Sequence, residues 1–340
     1  MKDINWSELT FGYYPTDYNV RCAYKDGKWG ELELHTDENI TMHMGSSCLH
    51  YGQEAFEGMK AFRGKDGKIR IFRPEENAKR MRRSCEGIMM APMPEELFLE
   101  AVDLVVKKNI DFVPPYETGA SLYIRPLIIG VGPQVGVRPA KEYLFVVFVS
   151  PVGPYFKNGF KPTPMAIMRG YDRAAPLGTG TYKVGGNYAA SLKSGEIAHE
   201  QGYSAAIYLD AKQKEFIDEC GPANFFMIRG NEYLTPLSTS ILPSITNMSL
   251  MQIARDLGMQ VQQRPIHEAE LETADEAGAC GTAAVITPIS YIDDIERHKK
   301  FSFAEDGEPG PVCTKLYHHL RGIQYGDIED THNWVHFVEA

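Results

Sequence analysis

The segment GTGTYKVGGNY (residues 178–188) places one lysine, Lys183, among glycines and small polar residues. Such a cation could bind a phosphate as a point charge, be an ordinary surface lysine, or act as a nucleophile. The phosphate-loop pattern G-x-x-x-x-G-K-[ST] fails, because Gly186 and Asn187 stand where it requires lysine and serine or threonine. The dinucleotide pattern G-x-G-x-x-G also fails, since Lys183 occupies the place of its last glycine.

The choice between a surface lysine and a nucleophile depends on burial. Lysines are mostly exposed in proteins, but Val184, the glycines and an apolar-rich helix after Asn187 would crowd the stem of this one. A desolvated lysine has a lowered pKa, and its neutral amine attacks carbonyl carbons to form Schiff bases. The residues alone therefore leave two possibilities open, an ordinary surface lysine and a lysine held for covalent chemistry.

The composition is that of an ordinary globular protein, and its charge argues against some classes of partner. The chain has 340 residues, 43% hydrophobic and 24% charged, and its length favours two domains. A formal net charge of −10 argues against nucleic acid and anionic membrane surfaces as partners. The sequence shows no bilayer-spanning apolar run, no signal peptide and no metal-like spacing of its cysteines and histidines. We expect a cytoplasmic protein without a metal site, whose cysteines are buried or free thiols.

The elements that must position the lysine form a mixed α/β pattern. A helix is predicted from Pro94, and an amphipathic helix is predicted over residues 245–258, which end at a glycine. Apolar runs predict strands at residues 68–73, 121–130, 142–150, 205–210 and 283–289. Proline and glycine are frequent between residues 151 and 180, which is typical of a connection between domains. We predict domains at 1–157 and 173–340, joined by a linker at 158–172.

Beyond these patterns, GTGTYKVGGNYAASL resembles the lysine segment of the branched-chain amino acid aminotransferases, which are pyridoxal 5′-phosphate (PLP) enzymes of fold type IV. Other matching segments follow in order: LHYGQEAFEGMKAFRG, SLYIRP, SPVGPYF, FIDECGPANFF, ILPSIT, GTAAVITP and IQYG. The chain looks most similar to the longer, eukaryotic-type branch. The resemblance implies two α/β domains with PLP at their interface, and transfer of the amino group of leucine, isoleucine or valine to 2-oxoglutarate.

The resemblance also assigns cofactor contacts. Lys183 matches the residue that forms the Schiff base with PLP, and Glu219 matches the carboxylate beside the ring nitrogen. Without the resemblance, Glu219 would be interpreted as a solvated acid on an edge strand. The remaining matching positions are Arg80, Ile245, Thr246 and Thr282 at the phosphate, Tyr188 at the phenolic oxygen, and Arg173 near the cofactor. Thr246 is also predicted to cap its helix.

For the substrate, the family positions correspond to an aromatic wall and a carboxylate end. Arginine suits a carboxylate because its planar fork can donate two hydrogen bonds. The matching positions are Phe11, Tyr51, Phe56, Tyr123, Arg125, Tyr155 and Ala283. Val135 and Val137 match a loop that comes from the partner subunit, which implies a homodimer.

Two departures from the family pattern have consequences. Ala284 and Thr287 stand where mammalian members carry a redox-active cysteine pair, so we expect no thiol regulation by that route. Pro222 replaces a threonine near the substrate carboxylate. D-Amino acid aminotransferase and aminodeoxychorismate lyase share the fold and the lysine and remain the alternatives, although KVGGNYAASL and EGMKAF favour the branched-chain group.

Overall fold

The computed structural model describes residues 2–156, 159–304 and 306–339. The chain forms two compact units. The first comprises Met1–Tyr155, Tyr182–Gly185 and Gly322–Ala340, and the second comprises Phe156–Thr181 and Gly186–Arg321. Each unit contains one sheet, so the predicted mixed α/β fold is confirmed.

The first unit contains an antiparallel sheet of nine strands within the described residues. Its central order is β18-β6-β5-β7-β8-β1-β2, with β3 on β1 and β4 on β7. The strands are β1 (Asn19–Lys25), β2 (Lys28–Trp29), β3 (Glu33–His35), β4 (Glu54–Phe56), β5 (Met59–Arg63), β6 (Ile69–Phe72), β7 (Ser121–Val131), β8 (Glu142–Val152) and β18 (Val335–Val338).

The second unit contains a mixed sheet of nine strands in the described part of the chain. Its order is β11-β10-β9-β16-β15-β12-β13-β14, with β17 on β16, and an additional β11–β12 pairing closes six of the strands into a barrel. The strands are β9 (Thr163–Ile167), β10 (Ala205–Leu209), β11 (Ile217–Cys220), β12 (Ala223–Arg229), β13 (Glu232–Thr235), β14 (Gln260–Gln263), β15 (Glu276–Gly281), β16 (Val285–Asp294) and β17 (Lys299–Ser302).

Among the helices, α2 carries a stripe of buried residues that packs with α3 into the core of the first unit. It begins with Pro74, followed by Glu75 and Glu76, a favourable first turn for the helix dipole. In the second unit α5 packs against β14 and β15. The helices are α1 (Ser47–Tyr51), α2 (Pro74–Gly87), α3 (Glu95–Lys108), α4 (Gly185–Glu200), α5 (Ile245–Asp256) and α6 (Pro311–Tyr325).

The structure corrects three local predictions. Residues 163–167, predicted as linker, form the buried parallel strand β9, because three of its five residues are buried against β10 and β16. The strand predicted at 283–289 begins only at Val285, where a positive φ of 68° ends the preceding turn, and it continues to Asp294. Ser244, in place of Thr246, caps α5. The other predicted domain bounds stay a prediction.

Candidate functional site

Lys183 is held by hydrogen bonds on both sides of its backbone. Its N–H donates to the Oγ of Ser84 on α2 at 2.9 Å, and its carbonyl accepts the N–H of Phe56 on β4 at 3.1 Å. The next residue, Val184, is buried in the core of the first unit. The segment is therefore fixed against α2 and β4, which is not the environment of an ordinary surface lysine.

The ring of Phe56 lies near two cations. The ammonium of Lys183, whose residue is half-buried, lies 4.8 Å from the ring centroid, and the guanidinium of Arg125 lies 4.9 Å from it. An aromatic face attracts a cation by about 0.5–2 kcal/mol, depending on how dry the contact is. The ring of Phe56 therefore lies against both an amine and a guanidinium.

Tyr123 and Phe11 extend the aromatic surface next to Arg125. The Nη2 of Arg125 donates to the hydroxyl of Tyr123 at 2.9 Å, and the rings of Tyr123 and Phe11 pack edge to face at 5.0 Å. A Cβ on Gly58 would lie 2.0 Å from the Tyr123 hydroxyl oxygen, so the approach of this ring requires glycine. The Nε of Arg125 is buried and has no hydrogen-bond partner among the described residues. A donor of this kind fits an anionic ligand.

Arg80 forms a buried ion pair with Glu57. Its Nε and Nη2 donate to Oε1 and Oε2 of Glu57, both at 2.7 Å. The same carboxylate accepts the side-chain amide of Asn77 at 2.7 Å and the N–H of Gly58 at 3.3 Å. Arg80 is 5% exposed and Glu57 is 0% exposed, so both charges depend on these partners.

One short segment, residues 54–57, organises this part of the unit. Glu54 accepts a hydrogen bond from the N–H of Gly185, Phe56 binds Lys183, and Glu57 binds Arg80. Burial raises the pKa of Glu54, and the Gly185 N–H opposes that rise. The partners of Lys183 and Arg80, the two residues expected at opposite ends of a phosphorylated cofactor, thus lie in one segment of four residues.

Four other positions suggested by the resemblance lie on more exposed surface of the first unit. Tyr51 is 44% exposed and donates a hydrogen bond to the carbonyl of Val135. Val135 and Val137 are 88% and 83% exposed. Tyr155, which is 51% exposed, is the last residue of the first segment of this unit.

In the second unit, the carboxylate of Glu219 is buried on β11 and pairs with Arg173. One oxygen contacts the Nε of Arg173, and the other accepts the N–H of Leu242 at 2.6 Å and the side-chain amide of Asn224 at 3.3 Å. Arg173 also donates to the carbonyls of Gly180 and Ser240. Glu219 is 2% exposed, so the structure excludes a solvated acid on an edge strand.

Burial changes the acidity of this carboxyl group. It raises the pKa of Glu219 to about 7, and the Arg173 guanidinium and the Leu242 N–H only partly oppose it. Burial also raises the pKa of the adjacent Asp218, whose carboxylate accepts the hydroxyl of Ser240 at 2.5 Å. A carboxyl group with a pKa near neutrality can share a proton with a pyridine nitrogen.

The amino end of α5 offers backbone donors. Ser244 caps the helix by accepting the N–H of Asn247 at 3.1 Å. The N–H groups of Ile245 and Thr246 belong to the first turn, where the helix supplies no acceptor. Both residues are more than nine-tenths buried, and the segment before them binds Arg173 and Glu219 through Ser240 and Leu242. Such an end suits an anion.

Three further predicted residues lie near these elements along the chain. Thr282 and Ala283 are half-buried in the turn between β15 and β16, and β15 pairs with β12 at Cys280 and Asn224. Asn224 is also the residue that donates to Glu219. Tyr188 is half-buried in the first turn of α4, and its carbonyl accepts the hydroxyl of Ser191 at 2.8 Å.

Sequence reasoning missed the residues that hold the predicted ones. On α2, Asn77, Arg80 and Ser84 share one face, because three- and four-residue steps bring helical side chains together. That spacing could have suggested a common role for them. No local signal identified Ser240 or Leu242, whose contacts with Arg173 and Glu219 are made by backbone groups. In the described residues no cluster of histidine, cysteine or carboxylate groups could hold a metal.

Comparison with known proteins gives consistent matches over the whole length. Residues 54–292 match the family described as amino-transferase class IV. The chain is 50% identical to the branched-chain-amino-acid aminotransferase of Haemophilus influenzae, and the match covers 100% of both chains. It is 43% identical to branched-chain amino acid aminotransferase 2, chloroplastic, of Humulus lupulus, over 98% of this chain and 82% of that protein.

Solved structures agree with these matches. The branched-chain amino acid aminotransferase of Escherichia coli has a TM-score of 0.80 and 28% identity, covering 95% of this chain and 100% of that one. The branched-chain amino acid aminotransferase of Thermobaculum terrenum in its PLP form has a TM-score of 0.79 and 25% identity, covering 96% of this chain and 99% of that one. The fold type IV architecture is therefore confirmed.

Proposed function

The chain belongs to the class IV aminotransferases, and we propose that it is a branched-chain-amino-acid aminotransferase with PLP as its cofactor. It transfers the amino group of leucine, isoleucine or valine to 2-oxoglutarate, giving branched-chain 2-oxo acids and glutamate. The observation that carries the proposal is the environment of Lys183, whose backbone is fixed on both sides and whose half-buried amine lies against Phe56.

The donor groups fit a phosphorylated pyridine aldehyde. Lys183 supplies the amine for the aldehyde, and the buried Glu219, with a pKa near 7, suits the ring nitrogen. The first-turn N–H groups of α5 have no acceptor within the helix and suit a phosphate. Arg173 would support Glu219 through their ion pair. The residues proposed to hold the phosphate and the phenolic oxygen are Arg80, Ile245, Thr246, Thr282 and Tyr188.

The aromatic surface of the first unit suits a branched aliphatic amino acid. Phe11, Phe56 and Tyr123 supply apolar contact, and Arg125 supplies a cation with a buried, unpartnered Nε–H for a carboxylate. Because 2-oxoglutarate carries a second carboxylate, an arginine next to apolar rings can serve both substrates. The remaining proposed substrate contacts are Tyr51, Tyr155 and Ala283.

The residues of this chain then have separate tasks. PLP, when bound, withdraws electrons from Cα of the amino acid. With PLP bound, Lys183 would take the proton from Cα of the substrate and return it during the transfer. Glu219 holds a proton at the ring nitrogen, and Arg125 holds the substrate carboxylate. The second substrate uses the same groups in reverse, so the kinetics are ping-pong.

We also propose a cytoplasmic homodimer. The two exposed valines, Val135 and Val137, match the loop that reaches a partner subunit in the resembled family. All six cysteines are free thiols, which favours a reducing compartment. In the described residues no helix is both long and apolar enough to span a bilayer. Sedimentation analysis of the purified protein tests the dimer.

The function is tested by loading the protein with PLP, recording its visible spectrum, and adding leucine. We expect the leucine-dependent spectral change to be lost in Lys183→Ala and kept in Lys193→Ala, which removes an exposed lysine from α4. Borohydride reduction and mass spectrometry should place the cofactor on the peptide that contains Lys183. Label on another lysine, or a change with D-alanine but none with leucine, would contradict the proposal.

A further inference from the structure

Arg80, the proposed phosphate contact, is paired with Glu57, whose own negative charge does not suit an anion. Glu57 is 0% exposed, and its two oxygens receive four hydrogen bonds, two from Arg80, one from Asn77 and one from the N–H of Gly58. This fills the acceptor capacity of a carboxylate. The carboxylate of Glu57 is thus fully used in binding Arg80, Asn77 and Gly58.

The pairing with Glu57 sets the orientation of the Arg80 guanidinium. Glu57 takes the Nε and Nη2 of Arg80 as a bidentate fork, which defines the plane and direction of the guanidinium. A phosphate that binds Arg80 would therefore meet a guanidinium whose orientation is already set, and binding to a preorganised group loses less conformational entropy.

Burial explains why the protein needs this carboxylate. Arg80 is 5% exposed, and an arginine that cannot reach water requires a counter-charge. Before the cofactor is present, no phosphate can supply it. Without Glu57, we expect the side chain of Arg80 to turn towards water and to leave its present position.

We infer that Glu57 is a positioning residue, which fixes Arg80 so that the phosphate of PLP binds to an oriented guanidinium. This inference rests on the proposed function and on the proposed role of Arg80. It makes a directional prediction. If only charge mattered, removing the anion of Glu57 would strengthen phosphate binding, whereas loss of orientation weakens it.

The test measures dissociation constants of the cofactor-free protein for PLP and for pyridoxal, which lacks the phosphate, by absorbance titration. For Glu57→Gln we expect the PLP constant to rise about ten- to hundredfold and the pyridoxal constant to stay within about threefold. In an Arg80→Gln background, adding Glu57→Gln should have little further effect on PLP, because the two residues act as one unit.

The outcomes separate the two hypotheses. Equal losses for PLP and pyridoxal, unchanged PLP binding, or tighter PLP binding in Glu57→Gln would overturn the positioning role. If that variant does not fold, Glu57→Asp decides by the same criterion, since it keeps the negative charge but shortens the side chain that forms the bidentate pair with Arg80. Failure of the wild-type protein to bind PLP at Lys183 would refute the proposed function, and this inference with it.

Discussion

The raised pKa of Glu219 predicts an unusual dependence of stability on pH. The carboxyl group is 2% exposed, and burial raises its pKa from 4.5 to about 7 although Arg173 is adjacent. Between those two values the folded protein holds a proton that the unfolded chain releases. The free energy of unfolding contributed by this group therefore falls as the pH rises from about 4.5 to about 7.

The size of the effect follows from the shift. A difference of about 2.5 pKa units, from 4.5 to about 7, corresponds to about 3 kcal/mol. Glu219→Gln keeps the shape and the neutral state of the side chain but cannot ionise. We expect the variant and the wild type to have similar free energies of unfolding near about pH 4, and the cofactor-free variant to be more stable by about 3 kcal/mol near about pH 8.

The assay is urea unfolding of the cofactor-free wild type and Glu219→Gln across this pH range. The difference between the two proteins isolates Glu219 from Asp218, whose pKa is also raised by burial. A difference that stays constant with pH would show that the carboxyl group titrates normally. A variant that loses stability relative to the wild type as the pH rises would show that the attraction of Arg173 exceeds the cost of burial.

Three further predictions follow from single contacts. Gly58→Ala places a Cβ 2.0 Å from the Tyr123 hydroxyl, so we expect a lower unfolding temperature and a higher KM for leucine. Arg125→Gln removes the proposed carboxylate partner, and the KM for 2-oxoglutarate should rise about ten- to hundredfold. Ser244→Ala removes the hydrogen bond from Asn247 and should cost about 1 kcal/mol in urea unfolding, whereas Ser244→Asn should keep the cap.

The sequence predicts long apolar strands well and irregular ones poorly. β7 and β8 begin at Ser121 and Glu142 as predicted, because each is a run of apolar residues between turn signals. β18 was not predicted, because it is only four residues long and pairs with β6, which is far upstream in the chain. A short edge strand acquires its structure from its partner, and local composition carries little information about it.

The same limit applies to the site. The resemblance identifies Lys183 and Glu219 by their motifs, whereas several of the contacts that fix them come from backbone groups, which have no side-chain signature. Glu219 depends on the N–H of Leu242, and Lys183 depends on the N–H of Phe56 and on the hydroxyl of Ser84. Backbone groups are the same in every residue, so only the fold determines which of them meet a functional side chain.

Both units contain the same kind of buried ion pair, but in our proposal the member that contacts PLP is the arginine in one pair and the glutamate in the other. Each contains a buried arginine–glutamate pair, Arg80 with Glu57 and Arg173 with Glu219. A phosphate requires a cation, and a protonated pyridine nitrogen requires an anion, so in our proposal Arg80 contacts the phosphate and Glu219 contacts the ring nitrogen. The second member of each pair contacts the residue that is proposed to meet PLP and holds it in place. Removing either supporting residue should therefore weaken its partner's contact with PLP.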